Sequence, residues 1–229
     1  EAVEVDGLEH NDLMTSCRAW LAALRGDTET ADRLLAGLTD MRASEDVQDR
    51  ARISVIEAHA AVGHRHTAEA LRHARGALAC IEALSPTNDT IRWAWPLAAR
   101  AAHELRDSRA GTELLALVDR YQPGHLASML QAERELARVR SAADSGADAA
   151  DLDDRFTAAI AGQRERSTPY HLALGLLDYS EYLLAQSRAD DAAVLIEEAQ
   201  RLGEALEALP ITDRARSLAA RPVPTLSGS

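Results

Sequence analysis

Four histidines, His59, His64, His66 and His73, fall within fifteen residues of one another. A cluster of imidazoles is a common beginning of a metal site. His66 and His73 stand two helical turns apart and share a face if the segment is helical. No cysteine lies near them, and no HExxH or comparably tight ligand pattern occurs. His103-Glu104 begins one, but Asp107 stands where the second histidine belongs. Solvated histidines near helix ends, and no metal, are therefore expected. Carboxylates cluster at Asp148–Asp154 and at Glu197-Glu198. A catalytic pair needs one acid withdrawn from water, whereas these runs suit helix starts and polar faces, where negative charge offsets the helix dipole. Cys17 and Cys80 are far apart, and neither GxSxG nor CxxC is present. All 25 basic residues are arginine. Without a lysine amine, Schiff-base chemistry and a phosphate-loop nucleotide site are excluded. No enzyme and no cofactor is expected from this chain.

The elements that would position any site follow from composition. The 229 residues are 46% hydrophobic and 27% charged, with only 3% aromatic and a single phenylalanine. A core of alanine and leucine suits closely packed helices and poorly supplies a β-sandwich. The net charge of -12 repels phosphate backbones, so no direct nucleic-acid partner is expected. No apolar run approaches the ~20 residues that span a bilayer, and no signal segment opens the chain. Two isolated cysteines fit a reducing compartment, so a cytoplasmic location is expected. A chain that opens on Glu1 is expected to be part of something longer.

An internal repeat organises the sequence. The stretches beginning at Gly26, Arg65, Arg106, Ala147 and Ser187 align, 39, 41, 41 and 40 residues apart. Five residues on come Ala31, Ala70, Gly111, Leu152 and Ala192. Nine on come Leu35, Ala74, Leu115, Phe156 and Ile196, and twelve on come Leu38, Ala77, Val118, Ala159 and Ala199. The preceding helix has a small residue at Ala19, Ala58, Ala99 and Ser180, with Arg140 breaking the series. Small residues at both points let paired helices approach closely.

This predicts an all-α fold: a right-handed solenoid of about five antiparallel helix pairs with a period of about forty and a C-terminal capping helix. Helices are expected near 11–25, 28–43, 45–64, 67–84, 91–106, 109–121, 126–143, 150–166, 169–186, 190–208 and 212–220. Asp27, Thr67, Ser108, Thr168 and Asp190 are the capping candidates. Pro96 either delays its helix or kinks it. Residues 1–10 read as a flexible linker, 11–220 as the repeat domain, and 221–229 as a disordered tail.

The small-residue spacing resembles the tetratricopeptide repeat in a long-helix variant, and Trp95 falls where that motif favours tryptophan. Thr168–Ala199, TPYHLALGLLDYSEYLLAQSRADDAAVLIEEA, resembles the last repeat of large actinobacterial signalling proteins that carry a STAND-type ATPase core. Arg92–Asp107 is similar to the same tails. Two families share them: class III adenylate or guanylate cyclases fused to the ATPase, and LuxR-type transcription regulators. The ending RPVPTLSGS, with no helix-turn-helix after the repeats, favours the cyclase-linked family. The resemblance implies a regulatory, ligand-sensing tail that acts on other domains of the same polypeptide.

Carried over position by position, the tetratricopeptide pattern lines a groove with Trp20, His59, Arg100 and Glu181, joined one row earlier by Arg52, Trp93 and Arg134. Tryptophan and arginine are strong anchors for a protein or peptide partner, or for a small effector. The alternative for Trp20 and Trp93 is that they plug the core between repeats. Tyr170, Tyr179 and Tyr182 are expected to be packing residues. Self-association into a homodimer is a second role for such an array, and no membrane is expected as a partner.

Overall fold

A computed structural model describes residues 2–146 and 148–221. Ala147, where the fourth copy of the repeat was placed, and the expected tail beyond Arg221 lie outside the described residues. Among the described residues all regular structure is helical, in thirteen α-helices and a short 3-10 turn. No described helix is long and apolar enough to cross a membrane. The chain divides into two compact units, Glu1–Gln131 and Ala132–Ser229.

The first unit holds α1 (Ala2–Arg25), α2 (Thr28–Gly37), α3 (Thr39–Ala43), α4 (Val47–Gly63), α5 (Thr67–Leu78), α6 (Ile81–Leu84), α7 (Asp89–Glu104) and α8 (Ser108–Asp119). Helices α1, α4 and α7 open three pairs and are followed closely by α2, α5 and α8. Helix α1 packs on α2 and α4, α4 packs on α5 and α7, and α2 and α5 reach the first helix of the next pair. Alanine makes this approach close: Ala19, Ala31, Ala58, Ala70 and Ala74 are all fully buried. In the second unit lie most of α9 (Ser128–Asp144), with α10 (Ala149–Arg166), α11 (Pro169–Ala185), α12 (Ala189–Ala205) and α13 (Leu209–Ala219). Here α11 packs on α10, α12 and α13, over a core that includes Leu136, Phe156, Leu176, Leu177, Leu183 and Ile211.

Three differences from the sequence reading have physical causes. Helix α1 starts at Ala2 rather than near residue 11, so the expected linker is helical. Apart from Gly7, nothing in those residues opposes extension of a helix already nucleated by its packed C-terminal half. Pro96 neither delays nor ends α7, which begins at Asp89 after Asn88 caps Thr90 N at 2.9 Å. The proline sits inside the helix and is itself buried, held by packing although it can donate no bond to the Arg92 carbonyl. In the third copy the buried face of α8 is Ala110, Leu114 and Val118, not Gly111 and Leu115. The Trp95 indole lies against this stretch and donates to the Leu114 carbonyl at 2.8 Å.

Several helices end in the same way. Gly26, Arg65, Arg106, Gly146 and Ser187 have φ between +55° and +81° and lie 39, 41, 40 and 41 residues apart. After four of these helices the amide of the next residue reaches back five positions: Asp27 to Ala22, His66 to Ala61, Asp107 to Ala102 and Arg188 to Leu183, at 2.8–2.9 Å. This closure satisfies the last carbonyls and turns the chain back within two residues. Of the cap candidates, Asp27 and Thr168 cap their helices with their side chains. At the other three, the cap positions are His66, Asp107 and Arg188, one or two residues earlier than expected.

Arginine pays a steric penalty in the left-handed region that glycine avoids. Arg106→Gly is therefore expected to stabilise the chain by about 0.5–1 kcal/mol, read as a raised urea midpoint with an unchanged slope. A lowered midpoint would mean that the Arg106 side chain contributes more than its backbone costs.

Candidate functional site

The seven residues expected to line a groove fall into two groups, one in each unit. In the first unit the rings of Trp20 (α1), His59 (α4) and Trp93 (α7) meet. Trp20 and Trp93 touch edge to face with centroids 5.6 Å apart, His59 and Trp93 likewise at 5.8 Å, and Trp20 and His59 at 6.2 Å. Trp20 and His59 each follow a fully buried small residue, Ala19 and Ala58, whereas the third ring, Trp93, stands two turns before Arg100, which holds the equivalent register position in α7. In α1 and α4 that burial aims the next side chain along the same face. Trp20 and Trp93 are half-buried and His59 is buried. The tryptophans are thus neither fully exposed anchors nor sealed core plugs. Trp95, two residues on, faces the other way and is fully buried. Arg52 lies two turns before His59 on α4, and Arg100 two turns after Trp93 on α7. Both are half-buried.

Burial drives the His59 imidazole down to a pKa of about 3, since its cation would lose hydration among the rings. In the unfolded chain it titrates near the ordinary 6.5. Between those values the unfolded state binds a proton that the folded state refuses, so stability is full above pH 6.5 and falls as pH drops towards 3. His59→Phe is expected to flatten the fall in stability across that window. The His59 ring-proton shifts in NMR should stay at their neutral position through pH 5, and a midpoint near 6.5 would contradict the burial.

In the second unit Glu181 does not stand free. Its carboxylate accepts from Arg214 at 3.1 Å and Arg221 at 2.9 Å. Arg134 is half-buried and pairs with Glu135 at 3.3 Å. The charge system here centres on residues that the spacing did not nominate. Arg140 of α9 donates to Asp178 of α11 at 3.0 Å, and Arg214 of α13 reaches the other Asp178 oxygen at 2.9 Å. Arg140 and Asp178 are both almost wholly buried. The signal was in the sequence: Arg140 is the residue that interrupts the small-residue series. A large charged group at a close-approach point demands a buried counter-charge.

A second buried polar group joins α9 to α10. Gln163 is fully buried and donates through Nε2 to Glu133 Oε1 at 2.6 Å, and Ser167 adds a donor at 3.4 Å. Gly175 of α11 leaves room for the amide, since a Cβ there would lie 1.9 Å from Gln163 Oε1. Next to it Thr168 Oγ1 and His171 Nδ1 share a hydrogen bond of 2.8 Å. Glu133 accepts from Gln163 and Ser167 of α10 and its C-terminal loop, so the group clasps α9 to α10. The tyrosines divide: Tyr179 is buried and stacks on Phe156 at 4.9 Å, while Tyr170 and Tyr182 are half-buried beside the same core.

The histidines that suggested a metal disperse onto separate carboxylates. His64 pairs with Asp32 at 2.9 Å, His66 with Glu69 at 3.3 Å and His73 with Glu57 at 2.9 Å. Among the described residues, no three histidine, cysteine or carboxylate side chains are grouped to hold a metal. Glu104 receives the Thr67 hydroxyl at 3.3 Å, and Asp107 caps α8.

No protein-family model, no curated protein and no solved structure matches this chain.

Proposed function

We propose that this chain is a non-catalytic helical-repeat module of the tetratricopeptide kind that binds a protein segment along α1, α4 and α7. The observation that carries the reading is the half-buried group of Trp20, His59 and Trp93, one ring from each of three successive first helices. Rigid aromatic side chains partly open to solvent, with Arg52 two turns before His59 and Arg100 two turns after Trp93, form the kind of surface on which binding energy concentrates. The segment that suits it has an apolar or aromatic anchor flanked by carboxylates. In its parent polypeptide the module biases a STAND-type ATPase, linked to a class III cyclase, between resting and active states. That part rests on the likeness of Thr168–Ala199 to the tails of such proteins. Control of this kind requires the segment to bind the two states with different affinity.

A displayed library of random peptides, selected on the purified chain, tests the binding surface. Enriched peptides should share the acidic-aromatic pattern. Trp93→Ala should weaken them at least about tenfold, the effect of losing an interface hot spot, with the circular dichroism unchanged. Failure to enrich any peptide, or wild-type affinity in both Trp20→Ala and Trp93→Ala, would overturn the assignment.

A further inference from the structure

With the period of 39 and 41 residues, Met14, Cys17 and Leu21 of α1 take the positions of Ile53, Ile56 and Ala60 in α4 and of Ala94, Leu97 and Ala101 in α7. All six residues in α4 and α7 are buried, none more than 7% exposed. Met14 is 57% exposed, Leu21 is 47% exposed and Cys17 is open to solvent. Spaced i, i+3 and i+7, the three form a single stripe along the helix, and Leu13 adjoins it. The second helix of the pair before packs on each of these two helices, α2 on α4 and α5 on α7. Helix α1 meets α2 and α4 through its other side, where Ala19, Ala22 and Ala23 are buried.

The last helix contrasts with the first. The outward face of α13 carries Leu209, 55% exposed, together with Asp213, Arg216 and Ser217, and Asp213 and Arg216 form an ion pair at 2.8 Å. The α1 stripe is apolar and is built like the internal ones.

We propose that the Met14–Cys17–Leu21 stripe is the docking surface for one amphipathic helix of the α2 and α5 kind, supplied by a preceding repeat of the same polypeptide. The chemistry of the occupant follows from the helices that pack on α4 and α7. Their buried residues include Ala31 and Leu35 of α2, with Leu38 at its C-terminal cap, and Ala70, Ala74 and Ala77 of α5. Small and aliphatic groups at i, i+4 and i+7 fit between the ridges of a first helix at close distance. This inference goes beyond the peptide-binding reading. It depends on the repeat register and on a different face of α1, so either can fail without the other.

Cys17 lies within the stripe and reports on it. In a Cys80→Ala background it is the sole thiol. Residues 1–12 are replaced by a copy of residues 67–92, carrying the same Cys80→Ala change. That copy contains α5, α6 and the loop into α7, and its last residue, Arg92, is the register equivalent of Asp12. Docking of the added helix should slow the reaction of Cys17 with Ellman's reagent at least about tenfold, equivalent to ~1.4 kcal/mol. Met14→Glu with Leu21→Glu should restore the fast reaction in the fusion and leave the helicity of the parent chain unchanged. An added segment that stays unfolded, or a Cys17 that reacts as before, overturns the proposal. So does a parent chain that sediments as a dimer with Cys17 already protected, which would give the stripe to a second copy.

Discussion

Trp95→Ala is expected to cost about 3–5 kcal/mol, enough to leave the first unit largely unfolded at ordinary temperature. The indole is fully buried in α7, and its Nε1 donates to the Leu114 carbonyl of α8. Truncation therefore opens a cavity between paired helices and removes a buried hydrogen bond at the same point. Trp95→Phe keeps most of the packing and loses the bond, so about 1–2 kcal/mol is expected for it. Urea unfolding followed by circular dichroism gives both values. Hydrogen exchange should rise across α7 and α8, while the amides within α10, α11, α12 and α13 keep their protection, because the chain divides into two compact units. A loss below about 1 kcal/mol for the alanine variant would contradict the buried position.

Asp178→Ala is expected to destabilise the second unit by about 3–5 kcal/mol. Its carboxylate receives Arg140 on one oxygen and Arg214 on the other, and Arg140 is only 5% exposed. Removing the acid strips charge compensation from a buried guanidinium, which costs more than the pair contributes as a whole. The paired replacement Arg140→Met with Asp178→Leu should recover most of the loss, since apolar groups of similar volume need no counter-charge. Recovery in the double variant and severe loss in the single one would establish the coupling. Equal losses in both would mean that packing, rather than charge, is what Asp178 provides. Added salt should change the wild-type value little, because screening acts weakly on buried charges.

The same pair shows why the surroundings of Glu181 were not legible in the repeat spacing. Repeat spacing placed Trp20, His59 and Trp93 on adjacent first helices, and the structure brings their rings together. Glu181 came from the same spacing, but its carboxylate is occupied by Arg214 and Arg221. Those two arginines lie more than thirty residues along the chain, a separation that no local pattern encodes. Arg140 interrupts the small-residue series in the sequence, and it marks where the second unit replaces close alanine contact with buried charge.

Composition, a period near forty and the small residues at Ala19, Ala58, Ala99 and Ser180 determined that the chain is all helical and where most helices run. These are local properties: helix propensity, the spacing of apolar side chains and the cost of bulk at a close approach act within a few turns. Tertiary structure decided what depends on neighbours distant in sequence. It decided that Pro96 is tolerated inside α7, because packing on both sides outweighs one missing hydrogen bond. It decided that α8 turns Leu114 inward rather than Leu115, beside the Trp95 indole. It decided that His59 is neutral and Arg140 charged at similar depth, since one is enclosed by rings and the other faces a carboxylate. A one-dimensional pattern specifies which face of a helix is apolar. What that face meets, and hence the energy of each buried group, is set only when the helices assemble.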